Sequence, residues 1–313
     1  MRRREFITRA CGAMFLPVAR PLGARAQQGT PVIGFLSARS PDESASLLAE
    51  FHRGLAEAGF AEGRNVKIEY RWAEGRNDRL PALAAELLDR GVAVVATVGG
   101  NVAALSAKSA TTSVPIVFTA GGDPVKLGLV ASLSRPGANV TGVTLLITEL
   151  WAKRLELLKE VVPHGRKLAV LINPTYPTSV AEGREVAALA PSMGFDVHTA
   201  QAADAEGLER ALANIACDRA DALLVANDAY LITLRREIVE FAAKHQLPAV
   251  YYTREFVEAG GLVSYGSNIG IGYHAAAGYV GRILKGAKAS DLPVLQPTRI
   301  DSSSTSRRPR AFG

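Results

Sequence analysis

Small and polar residues that could hold a charged solute gather in six short stretches, each after an apolar run: 37–40, 99–101, 119–123, 173–176, 227–230 and 253–255. Glycines let a solute approach backbone N–H groups, and the start of a following helix favours a carboxylate. Three acidic residues could hold an ammonium group and three tyrosines could cover an apolar body: Asp123, Asp228, Glu255, Tyr176, Tyr230 and Tyr252. Turn formation or helix capping explains each residue singly, so the prediction rests on their convergence.

Motifs typical of catalysis give little support to an enzyme. The five histidines lack the spacing of a zinc protease, and neither a P-loop nor a serine nucleophile elbow occurs in the sequence. Residues 270–275 read Gly-Ile-Gly-Tyr-His-Ala, which matches the glycine pattern of dinucleotide-binding proteins. That fingerprint needs a second strand with an acidic residue about 20 positions later, and a proline-containing loop stands there instead. We interpret the string as a turn and a helix start, with an uncharacterised hydrolase as a minor alternative.

Apolar periodicity predicts the elements that position these stretches. The run 32–36 predicts a buried strand, and Leu47, Phe51 and Leu55 share one helical face. Strands and helices alternate in this way twice, with a break near 136–139, which predicts parallel sheets of right-handed βαβ units. Ligands of such sheets bind beyond the carboxyl ends of the strands. We predict an α/β fold with lobe 1 at 27–143, lobe 2 at 144–252, and 253–298 returning to lobe 1.

The charge of the chain is concentrated at its ends. Residues 1–26 contribute +5 and residues 299–313 contribute +3 to a formal net charge of +6, which leaves −2 for the body. A body of this charge lacks the basic patch of a nucleic-acid-binding domain. Cys217 is the one cysteine after residue 26, which excludes a disulfide within the remaining chain and a cysteine zinc site.

The first 26 residues have the form of an export signal. Residues 3–7 (Arg-Arg-Glu-Phe-Ile) match the twin-arginine pattern, an apolar stretch follows at 10–19, and 24–26 (Ala-Arg-Ala) form a small-x-small cleavage site. The apolar stretch is shorter than the about 20 residues that span a bilayer. We predict a twin-arginine-type signal peptide cleaved near Ala26 and Gln27 and a periplasmic protein; a disordered basic N-terminus is the alternative.

Three blocks of sequence resemble one protein family. They read VPIVFTAGGDPVKLGLVASLSRPGANVTGV (114–143), DALLVANDAYL (221–231) and AVYYTREFVEAGGLVSYG (249–266). They resemble ABC-transporter solute-binding proteins, in the group that includes tryptophan-binding lipoproteins. The resemblance covers residues 31–298 and implies the type I periplasmic-binding-protein architecture, in which two Rossmann-like lobes with parallel sheets trap a small solute.

The resemblance also implies a site and a function. Eleven residues would form the cleft: Ser37, Gly99, Gly100, Asn101, Thr119, Asp123, Asn173, Tyr176, Asp228, Tyr252 and Glu255. The chain would cross between the lobes near 139–143 and near 252–255. The protein would be a monomer without a cofactor that delivers an amino acid or aromatic acid to ABC permease subunits. An orphan sensory binding protein is the alternative, which gene neighbours would distinguish.

Two departures from the family pattern touch the predicted site. Family members often carry Thr where Asn101 stands, and an Asp-Pro-aromatic element where this chain has Asp-Ala-Tyr at 228–230. The end of the chain departs further, because residues 299–313 are basic and of low complexity, which predicts disorder. The family has an apolar strand and a helix there. A shift of reading frame that replaced both elements is our hypothesis, and a harmless divergent tail is the alternative.

Overall fold

The first lobe is built on a parallel sheet. The computed structural model describes residues 29–297 and 300–304, so the predicted signal peptide lies outside the described part of the chain. Five strands pair in the order β2-β1-β3-β4-β5: β1 (Val32–Ser37), β2 (Lys67–Trp72), β3 (Val94–Val98), β4 (Ile116–Ala120) and β5 (Val140–Thr144). Three helices follow β1, β2 and β3, namely α1 (Ala45–Glu57), α2 (Leu80–Asp89) and α3 (Asn101–Ala110). Every residue of β3, β4 and β5 is buried, as is typical of parallel strands covered on both faces.

The second lobe has the same design. Its strands pair in the order β11-β10-β9-β8-β6-β7, and they are β6 (Lys167–Ile172), β7 (Asp196–Gln201), β8 (Ala222–Val225), β9 (Ala249–Tyr251), β10 (Val263–Ser267) and β11 (Ile300–Ser304). Its helices are α4 (Trp151–Val161), α5 (Pro177–Leu189), α6 (Ala205–Cys217), α7 (Ala229–Thr233), α8 (Arg235–Lys244) and α9 (Arg254–Glu258). All pairs are parallel except β10 with β11. The predicted α/β fold of two lobes is thereby confirmed.

The chain returns to lobe 1 later than the sequence predicts. Residues 253–298 are predicted to belong with lobe 1, but β10 continues the second sheet through the pairs Val263↔Val250 and Ser264↔Tyr251. Helix α10 (Ile269–Leu284) crosses back and packs against α1 and the strands β3, β4 and β5, and the chain after it stays with lobe 1 as far as Leu295, which bridges Val143. The prediction is wrong for 253–267 because β9 leaves an edge with which the next strand pairs.

The chain crosses between the lobes in three segments. The first two, 145–150 and 267–269, are called the hinge. The sequence predicts crossings near 139–143 and 252–255, and both predictions are wrong. Pairing in the first sheet continues to Thr144, opposite Ala120, so the chain leaves that sheet after residue 144. Within the hinge, the Ser267 hydroxyl donates to the Leu145 carbonyl at 2.6 Å, and Leu146 has a left-handed φ of 44°. The third crossing runs past Leu295, which bridges Val143 of β5, to β11.

Part of the predicted disordered tail is an edge strand. Residues 300–304 pair antiparallel with β10, from Ser267↔Ile300 to Val263↔Ser304, so the prediction of disorder is wrong there. The pairing uses backbone groups, and a serine-rich run can supply them despite its low β-propensity. Residues 305–313 lie outside the described part of the chain, and the reading-frame hypothesis stays a prediction.

The contact between α1 and α10 requires a glycine. A Cβ atom at Gly54 would clash with the carbonyl oxygen of His274 and come within 2.9 Å of Ala277 Cβ. We expect Gly54→Ala to cost about 1–3 kcal/mol and to lower the Tm by about 2–12 °C in calorimetry. Gly278→Ala, in the facing helix α10 and with no heavy atom within 4 Å of the added Cβ, is the control and should be neutral or stabilising. Equal losses in both variants would contradict the packing argument.

Candidate functional site

A cavity of about 50 Å³ lies between the lobes, where the carboxyl ends of their strands face one another. We call it the interlobe cavity. Seven of the eleven predicted residues line it: Gly99, Gly100, Asn101, Thr119, Tyr176, Asp228 and Tyr252. They come from the last residues of β4 and from loops or helix starts after β3, β6, β8 and β9. These segments are separate in sequence and meet because both sheets point their carboxyl ends at the cleft.

Three more predicted residues lie behind the lining and hold residues that form it. The Ser37 hydroxyl accepts the Arg39 backbone N–H at 3.1 Å. Asn173 donates from Nδ2 to Asp228 Oδ1 at 3.2 Å. Glu255, from lobe 2, accepts from Arg39 Nη2 at 2.9 Å. These residues position groups of the cavity rather than face it.

Asp123 is the predicted residue that the structure does not bring to the cavity. Its Oδ1 atom accepts the backbone N–H of Val125 at 2.8 Å and that of Lys126 at 3.2 Å. The side chain therefore closes a turn after β4, which is the alternative explanation that the sequence left open.

Asp228 is nearly completely buried and has one carboxylate oxygen without a partner. Its Oδ1 accepts backbone N–H groups of Tyr230 and Leu231 at the start of α7, at 2.9 and 2.8 Å, besides the Asn173 amide. Among the described residues, nothing donates to Oδ2. Burial raises the pKa of this carboxyl, and the Leu231, Asn173 and Tyr230 hydrogen bonds oppose that shift. A donor from a solute would relieve the cost of leaving Oδ2 unpaired.

Arg39 complements Asp228, because its buried guanidinium keeps a donor nitrogen to which no described residue is bonded. It follows β1, its exposed fraction is 3 %, and its Nη2 atom pairs with Glu255 across the cleft. In the described part of the chain, its Nη1 atom has no acceptor. Burial lowers the pKa of Arg39, but the Glu255 carboxylate, together with Tyr273 and Tyr252, outweighs this effect and raises the pKa above its ordinary value. The guanidinium is therefore always charged, and its spare N–H groups suit a carboxylate.

Apolar and aromatic side chains form the remaining wall of the cavity. They are Leu145, Ile147, Ile232, Ile269, Tyr252, Tyr273 and Tyr176. The Tyr273 hydroxyl lies beside Arg39 and Ser37, and burial raises its pKa to about 12, so it stays neutral. Such a wall can cover the apolar body of a small solute.

Several lining residues are absent from the sequence prediction. Arg39 and Asn227 belong to the polar stretches 37–40 and 227–230, so a search for all charged and amide groups in those stretches would have found them. Tyr273 lies in the Gly-Ile-Gly-Tyr-His-Ala string, which opens α10 with Asn268 as its N-cap. That placement agrees with a helix start rather than with dinucleotide binding.

The lobes touch each other around the cavity. Besides the Arg39–Glu255 pair, Arg235 of lobe 2 pairs with Glu43 of lobe 1 at 2.9 Å. Gly121 of lobe 1 lies against the Asn227 amide of lobe 2, where a Cβ atom would come within 2.5 Å. The structure is thus a closed arrangement in which a solute would contact both lobes.

Two other kinds of site find no support within 29–297 and 300–304. No group of three or more His, Cys, Asp or Glu side chains there could hold a metal ion. No helix in those ranges has the length and apolarity needed to cross a membrane.

Known proteins are similar to this chain over most of its length. Residues 32–302 match the family described as ABC transporter substrate binding protein. A tyrosine-binding protein of Clostridioides difficile (strain R20291) is 25% identical over 245 residues, which make up 78% of this chain and 70% of that protein.

Two crystal structures share the fold. A conserved domain protein from Vibrio cholerae O1 biovar El Tor has a TM-score of 0.80 at 24% identity, covering 88% of this chain and 92% of that one. An ABC domain from Streptococcus pneumoniae, solved in complex with L-Trp, has a TM-score of 0.77 at 25% identity, with coverages of 88% and 91%.

Proposed function

The chain belongs to the ABC transporter substrate-binding protein family, and from this premise we propose that it captures a free amino acid and delivers it to a permease. The family consists of substrate-binding proteins, not enzymes, and one relative named above is a tyrosine-binding protein. One observation carries the proposal: a buried guanidinium nitrogen and a buried carboxylate oxygen, both without protein partners among the described residues, belong to residues that line one cavity.

An α-amino acid supplies the two groups that this cavity lacks. Its carboxylate would accept from Arg39 Nη1, near the start of α3 at Gly100 and Asn101, where backbone N–H groups also favour an anion. Its ammonium would donate to Asp228 Oδ2. A simple acid would leave the Asp228 oxygen unpaired and a simple amine would leave Arg39 unpaired, at about 1–3 kcal/mol for each such group.

The two charged groups do not determine the side chain of the amino acid, so we infer it from the wall of the cavity and from the relatives. Isoleucine, leucine and tyrosine side chains form that wall. One relative is a tyrosine-binding protein, and another was solved in complex with L-Trp. We therefore infer an aromatic amino acid as the solute.

Delivery follows from closure. A solute that contacts both lobes favours the closed form by its difference in affinity for the closed and open forms. The closed form then presents a surface to the permease that the open form does not. The predicted signal peptide supports a location outside the cytoplasmic membrane, where an importer collects its solute.

A titration with matched analogues tests the proposal. We expect L-tyrosine or L-tryptophan to bind in calorimetry, and tyramine and 3-(4-hydroxyphenyl)propionate, which lack one charged group each, to bind at least 30-fold more weakly. At about 100 times its Kd the solute adds roughly 2.7 kcal/mol and raises the Tm by about 5–10 °C. A sugar as the best ligand, or equal binding of L-tyrosine and its two analogues, would refute amino-acid recognition.

The affinity for the amino acid is expected to rise with pH. Burial raises the pKa of Asp228, so part of this carboxyl is protonated above the ordinary range of an aspartate and cannot pair with an ammonium. As the pH rises through that pKa, the ionised fraction and the affinity increase together, until the solute's own ammonium loses its proton. Calorimetric titrations from pH 4 to 8 measure this profile, and Asp228→Asn should flatten it. A flat profile in the unmodified protein would contradict the assignment.

A further inference from the structure

Tyr273 has a buried hydroxyl group that the chain itself does not use. The residue is 0 % exposed and lines the interlobe cavity, yet in the described part of the chain nothing is hydrogen-bonded to its Oη atom. Other tyrosines find a partner. The Tyr252 hydroxyl donates to the carbonyl oxygen of Asp228 at 3.3 Å. The Tyr279 hydroxyl donates to the carbonyl oxygen of Pro293 at 2.5 Å. An unpaired buried hydroxyl is a cost that phenylalanine would avoid, so packing alone does not explain this tyrosine.

The Tyr273 hydroxyl is a donor that stands near a second unused donor. Burial raises its pKa to about 12, and Arg39 and Ser37 oppose that shift, which places both residues beside it. The hydroxyl therefore keeps its proton at neutral pH. Arg39 lines the same cavity, and over the described residues its Nη1 atom has no acceptor either. One wall of the cavity thus offers two hydrogen-bond donors that no protein group satisfies.

A carboxylate is the group that fits two such donors. It has two oxygen atoms, and both accept hydrogen bonds. Arg39 donates through Nη2 to Glu255 at 2.9 Å, so Nη1 is the nitrogen that remains for a solute. Nη1 can serve one carboxylate oxygen and the Tyr273 hydroxyl the other. Hydrogen bonds to an ionised acceptor are about twice as strong as neutral ones, so a carboxylate gains more here than a neutral carbonyl group would.

Both donors belong to lobe 1, whereas the unpaired acceptor belongs to lobe 2. Arg39 follows β1, and Tyr273 lies near the start of α10, just after the hinge. The unpaired Asp228 oxygen lies at the start of α7 in lobe 2. A solute with a carboxylate and an ammonium group would therefore place one charged group on each lobe and join the lobes through its own carbon atoms.

We propose that the Tyr273 hydroxyl donates to the carboxylate of the solute and, with Arg39, makes lobe 1 the carboxylate-binding half of the site. The hydroxyl carries no charge, so it adds to recognition by Arg39 and does not replace it. That the carboxylate belongs to an amino acid rests on the proposed function, whereas the pairing of Tyr273 with a carboxylate does not. A tyrosine present only for packing would affect stability and leave the preference among solutes unchanged.

Tyr273→Phe tests the proposal, because it removes the hydroxyl and keeps the ring. Tyr279→Phe is the matched control, since Tyr279 lies on the same helix and its hydroxyl has a protein partner. Three probes are titrated by calorimetry: L-tyrosine, 3-(4-hydroxyphenyl)propionate, which has the carboxylate alone, and tyramine, which has the ammonium alone. Weak binding is measured by competition with L-tyrosine. The Tm of each protein is measured without ligand.

We expect Tyr273→Phe to weaken the binding of both carboxylates about 10-fold or more, which is the loss of one hydrogen bond to a charged group. The Kd of tyramine should stay within about twofold. The ligand-free Tm of this variant should be unchanged or higher, because no hydrogen bond within the protein is lost. Tyr279→Phe should show the reverse, with a Tm lower by about 2–4 °C and each Kd within about twofold.

Three results would overturn the proposal. One is an unchanged affinity of Tyr273→Phe for both carboxylates. Another is an equal loss for L-tyrosine and tyramine, because the hydroxyl would then not recognise the carboxylate. The third is a ligand-free Tm of Tyr273→Phe as low as that of Tyr279→Phe, or a variant that does not fold, since the hydroxyl would then have a structural role.

The same probes separate this inference from the proposed function. If L-tyrosine and L-tryptophan do not bind but 3-(4-hydroxyphenyl)propionate binds and loses affinity in Tyr273→Phe, the proposed function fails and the carboxylate assignment stands. If L-tyrosine binds and the variant loses no affinity, the assignment fails alone. If none of these carboxylates binds to the unmodified protein, both are overturned.

Discussion

Replacing Asp228 with asparagine is expected to weaken amino-acid binding by about 30-fold or more and to leave the fold intact. Truncating one member of a buried, hydrogen-bonded charge pair costs about 2–5 kcal/mol, which is at least about 30-fold in Kd. Asparagine is as good an N-cap as aspartate, so it can keep the hydrogen bonds from Tyr230 and Leu231. Its amide would place N–H donors where the ammonium needs an acceptor.

Asp123→Asn is the matched control for this substitution. Asp123 also follows a strand of a sheet and is an ammonium-binding candidate from the sequence, but its carboxylate closes a turn outside the cavity. We expect its replacement to leave the Kd within about twofold, because asparagine serves equally in such turns. Calorimetry at pH 7 compares the two variants with the unmodified protein. Equal losses in both variants would mean that the structure does not discriminate between these carboxylates.

Arg39→Met is expected to lower the affinity about 100-fold or more. The substitution removes the donor for the solute carboxylate and also breaks the ion pair with Glu255, leaving that carboxylate without its partner across the cleft. Arg235→Met is the control, because Arg235 pairs with Glu43 across the same cleft at the same distance of 2.9 Å but does not line the cavity. Its loss should affect closure alone and weaken binding only a few-fold.

The two arginine variants are compared by calorimetry with L-tyrosine and with tyramine. For the unmodified protein, removal of the solute's carboxylate should weaken binding strongly. In Arg39→Met, tyrosine and tyramine should bind almost equally, since the group that recognises the carboxylate is gone. If Arg39→Met and Arg235→Met lose the same affinity and keep the same preference for tyrosine, Arg39 is only a closure contact.

Local sequence was sufficient to predict the fold. The apolar run at 32–36 has the composition of a buried strand, and all five of its residues lie within β1. The helical period places Leu47, Phe51 and Leu55 on one face, and all three are buried. The bounds of the lobes depend instead on which strand edges pair. The pairing of β10 with β9 has no marker in the sequence of either strand, so the crossings were misplaced.

The site could be predicted in outline but not in its charges. A loop after a parallel strand points toward the cleft whatever its sequence, which explains why seven of the eleven predicted residues line the cavity. Arg39 became significant only through Glu255, which is 216 positions away in sequence. Asp123 and Asp228 follow strands alike, and only the three-dimensional course of each loop shows which carboxylate keeps an oxygen unpaired.

The packing of α10 against α1 has a consequence for biosynthesis. The apolar face of α1 emerges early from the ribosome, but α10 is made roughly 225 residues later, which takes about 10–45 s at the usual rates of translation. Until then the first lobe lacks the helix that packs against α1 at Gly54. A nascent chain therefore cannot complete its first lobe before most of the second lobe has been synthesised. Export machinery or chaperones that meet the chain during this interval encounter an exposed apolar surface that the finished protein does not have.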